Sequence, residues 1–162
     1  MKTLLVVVSV HHQNTLKVAQ AIADVLQAAI VSPEEVDPDQ LNAYDLVGFG
    51  SGIYSGEHHK RLLAFANTMP VKDSGKAFVF STDGAPRMLM KDATMLHGKM
   101  LNDHTALWEK LTAKGYEIIG DFNCAGYNTN SFLKLFGGLN KGRPNAEDLA
   151  RAVVFARELM HT

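Results

Sequence analysis

The stretch that most constrains this chain is residues 2–26. Residues 4–8 are an unbroken apolar run, β-branched from Val6, which is the pattern of a strand buried on both faces. From Leu16 onward, Val18, Ala21, Ile22, Val25 and Leu26 recur at helical spacing, so one face of that segment is apolar. Between the two lies a polar loop, Ser9-Val10-His11-His12-Gln13-Asn14-Thr15. A buried strand that ends in a hydroxyl- and amide-rich turn and then opens a helix makes an anion site. The helix's first backbone N–H groups and the positive end of its dipole face whatever lies at the loop. Phosphate suits such a cradle.

The 162 residues are most simply one domain spanning 1–162, large enough to bury about 68–70% of the unfolded surface. A content of 46% hydrophobic and 20% charged residues is that of an ordinary globular protein. Sixteen basic residues against seventeen acidic ones leave a net charge of -1, so no nucleic-acid partner is expected. The apolar start is too short to span a bilayer and has too little basic character for a signal peptide, so no membrane association is expected either. The single cysteine, Cys124, excludes an internal disulfide and suits a reducing compartment, which points to the cytoplasm.

Further along, a short strand is expected over 28–31 and a polar connection over 32–42. A second central strand over 44–50 is closed by the turn Ser51-Gly52-Ile53-Tyr54-Ser55-Gly56. A helix over 57–69 has Leu62, Leu63, Phe65 and Ala66 inward and stops at Pro70. A third buried strand over 76–80 runs into Ser81-Thr82-Asp83-Gly84-Ala85-Pro86. Residues 88–101 are Met-rich and ambiguous in pattern. A helix over 103–113 ends at Gly115, a strand follows over 116–122, and residues 123–143 form a long irregular stretch. The last helix, over 145–160, starts behind Pro144 and puts Leu149, Ala152, Val153 and Ala156 at core spacing. Strands alternating with helices mean α/β architecture, a parallel sheet covered on both faces by right-handed crossovers. Ligands bind such sheets beyond the carboxyl ends of the strands, where the strand order reverses.

With these residues in view, the chain resembles the flavodoxin family over nearly its whole length. The segments that carry the resemblance are the loop from Ser9 to Thr15, the run Tyr44-Asp45-Leu46-Val47-Gly48-Phe49-Gly50-Ser51-Gly52-Ile53-Tyr54, the turn Phe80-Ser81-Thr82-Asp83-Gly84, and the tail from Gly137 to Asn145. The resemblance implies a flavodoxin-like three-layer sandwich with a five-stranded sheet of order 2-1-3-4-5. It also implies FMN held over the ends of the first, third and fourth strands. Better-known members have a Thr/Ser-rich first loop with a glycine before the Asn-Thr pair. Here His11 and His12 stand where hydroxyl residues would be, and Gln13 stands for the glycine, so the chain is similar to a branch whose loop reads Ser-x-His-His-x-Asn-Thr.

Under that resemblance Ser9, Asn14 and Thr15 bond the phosphate, together with backbone N–H groups of Gln13 to Thr15. The plainer alternative is that Asn14 or Thr15 caps the helix, worth typically ~1 kcal/mol. His11 and His12 are candidates to donate to phosphate oxygens, since imidazoles beside a dianion are drawn toward the charged form; otherwise they are ordinary loop residues. Ser51, Gly52, Ile53 and Tyr54 form the second contact turn, with the Tyr54 ring placed to stack on a flavin face or else to pack on its own turn. Ser81, Thr82, Asp83 and Gly84 would meet the polar edge of the flavin, where an Asp83 carboxylate would disfavour an anionic reduced ring. Cys124 and Tyr127 would cover the ring from the other side, although a lone cysteine is more often a small packed hydrophobe. A second pair, His58-His59, raises a metal alternative, but adjacent histidines on a helix diverge by about 100° and make a poor ligand pair. Trp108, Met88, Met90, Met95 and Met100 read as core or interface residues.

Three functions fit these residues. The first is an electron-transfer flavoprotein that binds one non-covalent FMN and shuttles electrons between redox partner proteins, as a monomer or a homodimer. The second is an FMN-dependent NAD(P)H oxidoreductase that reduces quinones or similar acceptors, although no separate dinucleotide fingerprint is visible. The third is a non-redox module of the same fold that binds another phosphate ligand or a protein. In the linear order of residues no Ser-His-Asp, Cys-His or paired-carboxylate set stands out.

Overall fold

The expected first strand and helix set the frame of the computed structural model, which describes residues 1–86 and 92–162. Strand β1 (Thr3–Val8) is buried along its whole length. Leu4, Val6 and Val8 pack into one core layer with Leu62, Phe65, Leu107 and Leu111. Leu5 and Val7 pack into the opposite layer with Val18, Ile22, Ala152 and Ala156. The period-2 alternation of a strand turns a continuous apolar run into two faces, and each face needs its own cover. Helices α1 (Asn14–Leu26) and α4 (Ala146–Leu159) cover one side; α2 (Lys60–Thr68) and α3 (Ala93–Ala113) cover the other.

The remaining strands are β2 (Ala29–Val31), β3 (Leu46–Tyr54), the two-residue β4 (Glu57–His58), β5 (Gly75–Asp83) and β6 (Tyr116–Ala125). The parallel order is β2-β1-β3-β5-β6, with β4 paired antiparallel to β3. The five parallel strands thus follow the expected 2-1-3-4-5 order, and the short hairpin strand is an addition. The order reverses between β1 and β3, whose registers pair Val8 with Ser51.

The alternating glycines of β3 have a packing reason. A Cβ on Gly48 would lie 2.3 Å from the Phe78 ring, and one on Gly50 would lie 2.2 Å from the Phe80 ring. These phenylalanines are the register partners of the two glycines on β5, so their rings lie across the bare backbone of β3 and are fully buried. Burying each ring contributes roughly 1.5–3 kcal/mol.

Several boundaries differ from the sequence-based expectation. β3, β5 and β6 each run three or four residues further, through Tyr54, Asp83 and Ala125, because polar side chains at strand ends find partners there. The turn over 51–56 is therefore mostly strand, closed by a tight hairpin with positive φ at Ser55 and Gly56. His58 lies in β4, ahead of the helix, while His59 opens α2 as its N-cap, its side chain accepting from the Arg61 N–H. α3 begins at Ala93 instead of near 103, capped by Asp92, whose side chain accepts from the Thr94 N–H. Trp108 packs against the core, whereas Met95 is exposed. Met88 and Met90 lie outside the described residues. Asn145 is the N-cap of α4 in a reciprocal pairing with Asp148. The stretch 123–143 contains a short 3₁₀ helix, Ser131–Phe136, and an Asn128–Leu139 bridge.

Candidate functional site

A cleft opens over the carboxyl ends of β1, β3 and β5. Its lining includes His11 and Thr15 from the first loop and helix, Ile53 and Tyr54 from β3, and Thr82 and Asp83 from β5. Gly52, Asn14, Gly84 and Tyr127 join them, as do Val10, Gly126, Asn128 and Asn130.

The first loop enters α1 in an unusual way. His12 and Gln13 both have φ of 53°, the left-handed region that glycine adopts most readily. Gln13 is thus a non-glycine residue in a backbone conformation that suits glycine. Gln13 is the N-cap and its own side chain makes no capping bond, so neither Asn14 nor Thr15 takes the capping role weighed above; they are the first two helical residues and both are buried. The Asn14 amide donates to the Tyr127 carbonyl at 2.9 Å, while its Oδ1 is buried without a partner among the described residues. Thr15 Oγ1 and Thr82 Oγ1 are 2.9 Å apart. Two hydroxyls share one hydrogen bond there, which leaves one hydroxyl hydrogen for a ligand.

Close packing shapes the opposite wall. A Cβ on Gly126 would approach Asn14 Nδ2 to 2.8 Å, and one on Gly84 would approach Asn128 Nδ2 to 2.4 Å. The Gly126 N–H donates to the Asp83 carbonyl at 2.8 Å, and the Tyr127 N–H donates to the Arg143 carbonyl at 3.1 Å. The Asn140 amide donates to the Ala85 carbonyl at 2.9 Å. Residues 126–143 are therefore tied to the exit of β5 at several points. The Asp83 carboxylate is buried and accepts from the Ala85 N–H.

Aromatic rings stand on both sides. Tyr54 has His11 at 6.0 Å and His59 edge-on at 5.1 Å, and burial pushes its phenol up from 10.0. Partial burial lowers His59 from 6.5, followed by the charges of Arg61, Lys60 and His11. His12 Nε2 bonds Thr129 Oγ1 at 2.8 Å, and its ring lies 4.5 Å from that of Tyr127.

Of the residues singled out in the sequence, ten line the cleft: His11, Asn14, Thr15, Gly52, Ile53, Tyr54, Thr82, Asp83, Gly84 and Tyr127. Ser9 lies behind the loop, where its Oγ accepts from the Leu16 N–H at 3.2 Å. His12 is at the rim, and Gln13 is the exposed N-cap. Ser51 and Ser81 lie one residue below the floor, and Cys124 is packed in the core beside Phe122 within β6. Among the described residues no three His, Cys, Asp or Glu side chains group to hold a metal ion, and no helix is long and apolar enough to cross a membrane.

The fold also assembles a set that linear order hides. Ser81 Oγ lies 2.8 Å from His104 Nε2, and His104 Nδ1 lies 2.8 Å from Asp121 Oδ1. These are Ser-His-Asp distances, but Ser81 and His104 have no exposed surface, so no substrate reaches the hydroxyl. Spacings of 23 and 17 residues across three elements carry no sequence signal.

The topology, with its reversal of strand order between β1 and β3, defines a doubly wound α/β protein. Residues 5–111 match the family model described as Flavodoxin domain. An uncharacterised protein of Methanocaldococcus jannaschii is 46% identical over 160 residues, covering 99% of each chain. Among solved structures, oxidised Flavodoxin 2 from Bacillus cereus superposes with a TM-score of 0.67 at 19% identity, covering 99% of each chain. Fusobacterium nucleatum flavodoxin bound to flavin mononucleotide gives a TM-score of 0.64 at 12% identity, covering 99% of this chain and 98% of that one. This chain belongs to the flavodoxin family.

Proposed function

We propose that this protein binds one FMN non-covalently in the cleft and passes electrons between redox partner proteins. The observation that carries the reading is the left-handed entrance to α1, which opens beside a cleft with tyrosines at two of its edges. Family membership and the FMN-bound relative support it.

The residues present fit the cofactor. The α1 entrance offers a dipole to the phosphate, together with N–H groups other than those of Asn14 and Leu16, which are taken by the His11 carbonyl and Ser9 Oγ, and the spare hydroxyl hydrogen of the Thr15–Thr82 pair adds a donor. The partnerless Asn14 Oδ1 suits a ribityl hydroxyl rather than a phosphate oxygen, because it can only accept. Tyr54 and Tyr127 offer rings to a flat π-system. The cofactor would supply the electron chemistry. The chain's own part is to bind, orient and tune it: the buried Asp83 carboxylate opposes negative charge nearby, and the tethered 126–143 segment screens one side from water. Ser9, His12, Gln13, Ser51, Ser81 and Cys124 act from behind the loop, from the rim or from below the floor.

Docking at the cleft end would fall to residues 126–143. They contain no carboxylate, and they present Leu135 and Phe136, 85% and 81% exposed, beside exposed Lys134 and Lys141. An acidic redox protein fits such a tip. The single buried thiol suits the cytoplasm.

The decisive experiment is a visible titration of purified protein with FMN, followed by anaerobic stepwise reduction. Bound flavin should show a shifted absorption band and altered fluorescence, and should accept electrons in resolvable steps. A flavin spectrum unchanged at saturating protein would refute the reading, and rapid reduction by NADPH alone would move it to the oxidoreductase alternative.

A further inference from the structure

One residue beneath the cleft floor, the central strands carry a polar rung. Ser51 pairs in register with Ser81, and Ser81 with Asn123. Just below, Phe49 and Val79 belong to the apolar core. Two buried imidazoles lie over the rung, His58 from β4 and His104 from α3, with ring centroids 4.9 Å apart. Such polar groups persist in a core only when their bonds close.

Here every ring nitrogen but His58 Nε2 has a partner. Ser51 Oγ accepts from the His59 N–H at 2.9 Å, donates to the Gly52 carbonyl at 2.9 Å and lies 2.8 Å from His58 Nδ1. When its only hydrogen goes to Gly52 the hydroxyl accepts from His58 Nδ1, the arrangement that avoids a buried Nε2–H without an acceptor. His58 Nε2 is then a bare lone pair, buried without a partner among the described residues. On the other side, Asp121 accepts from His104 Nδ1 at 2.8 Å and from Trp108 Nε1 at 2.9 Å. Ser81 donates to His104 Nε2 at 2.8 Å and accepts from the Asn123 amide at 2.8 Å.

A second proton on His58 would create a buried N–H with no acceptor. The carboxylates nearby are already engaged: Asp121 from β6 by His104 and Trp108, and Asp103 from α3 by Lys99. Arg61, Lys60 and His11 act on His59 instead. Loss of solvation first, and His104 second, hold His58 well below the ordinary 6.5.

We propose that His58 is a positioning residue for the ligand cleft: while uncharged it pins Ser51, the residue just before cleft-lining Gly52, and acid releases the β3–β4 hairpin and with it the bound flavin. The proposal rests on the FMN reading for its ligand but not for the hairpin. Opening returns His58 to an ordinary imidazole that takes up one proton. The open fraction therefore rises about tenfold for each pH unit below ~6.5, until the folded-state value is reached.

The test compares wild type, His58→Asn and Ser51→Ala between pH 5.5 and 8. Asparagine places an amide nitrogen near the Nδ1 position and does not titrate. FMN dissociation is followed by stopped-flow fluorescence, and amide protection of residues 52–58 is followed by hydrogen exchange in protein without FMN. Below pH 6.5 the wild type should release FMN about tenfold faster per pH unit, with hairpin protection falling in parallel. His58→Asn should differ by staying within about twofold once the shared titration of the FMN phosphate is subtracted. Ser51→Ala should be open at every pH; if it does not fold, the comparison with His58→Asn decides alone. Superimposable profiles for wild type and His58→Asn would overturn the proposal. Protection lost equally in β1 and β5 would do the same, since that is global unfolding. If FMN does not bind, the functional reading fails while the protection factors still judge this one.

Discussion

Gln13 enters α1 with φ 53° and ψ 29°, a conformation that costs a non-glycine L-residue roughly 1–2 kcal/mol. Its side chain is exposed and makes no capping bond, so little is lost on removing it. Gln13→Gly relieves the strain but frees the unfolded chain by roughly 0.4–1 kcal/mol. The expected balance is a gain of about 0.5–1 kcal/mol, or about 1–4 °C in Tm for a chain of this length. Urea unfolding at pH 7 measures it as a higher midpoint at unchanged m. His12→Gly serves as the control. It has the same φ but gives up the bond to Thr129 and the ring contact with Tyr127, so it should gain nothing. Because the loop N–H groups keep their directions, Gln13→Gly should hold FMN affinity within about threefold. A midpoint lowered by the equivalent of ~0.5 kcal/mol or more would refute the strain argument.

Gly126→Ala should displace the Asn14 amide from the Tyr127 carbonyl, weakening FMN binding at least about tenfold while costing about 1 kcal/mol of stability; calorimetric binding and thermal melts separate the two. Asp83→Asn should raise the flavin potential by on the order of 50 mV, read by spectroelectrochemistry, and an unchanged potential would remove Asp83 from the tuning role. Glu34 is held down to about 2, first by its hydrogen bond from Arg61. Its contribution is therefore present above the ordinary 4.5 and lost as pH falls toward 2; because the pair is exposed, Glu34→Gln should cost only ~0.5 kcal/mol at pH 7 and less in high salt. Leu135→Ser with Phe136→Ser should leave stability within about 0.5 kcal/mol and slow electron transfer to an acidic haem protein; an unaltered rate would move docking elsewhere.

Local pattern carried the secondary structure where it was strongest. Residues 4–8 could only be a doubly buried strand, and the following apolar stripe only an amphipathic helix. Their junction read as an anion cradle because helix starts leave N–H groups for other partners; two of these, on Asn14 and Leu16, are bonded by the His11 carbonyl and Ser9 Oγ. The pattern failed wherever partners came from far along the chain. β5 continues through Ser81 because His104 and Asn123 hold that hydroxyl. Ser51 is strand because His58 returns to it. Cys124 stayed with the core because β6 extends past Phe122.

What the sequence by itself determined was the alternation of strand and helix, the apolar faces, and the chemistry of the loop at 9–15. All of these depend on neighbours within about one helical turn. Only the tertiary structure decided that β3 keeps bare glycines under the rings of β5, that residues 126–143 close over the cleft, and that two histidines and two serines meet beneath it. Those contacts join residues as far apart in the chain as Asn14 and Tyr127. Their energies depend on distance and desolvation, which no local pattern records.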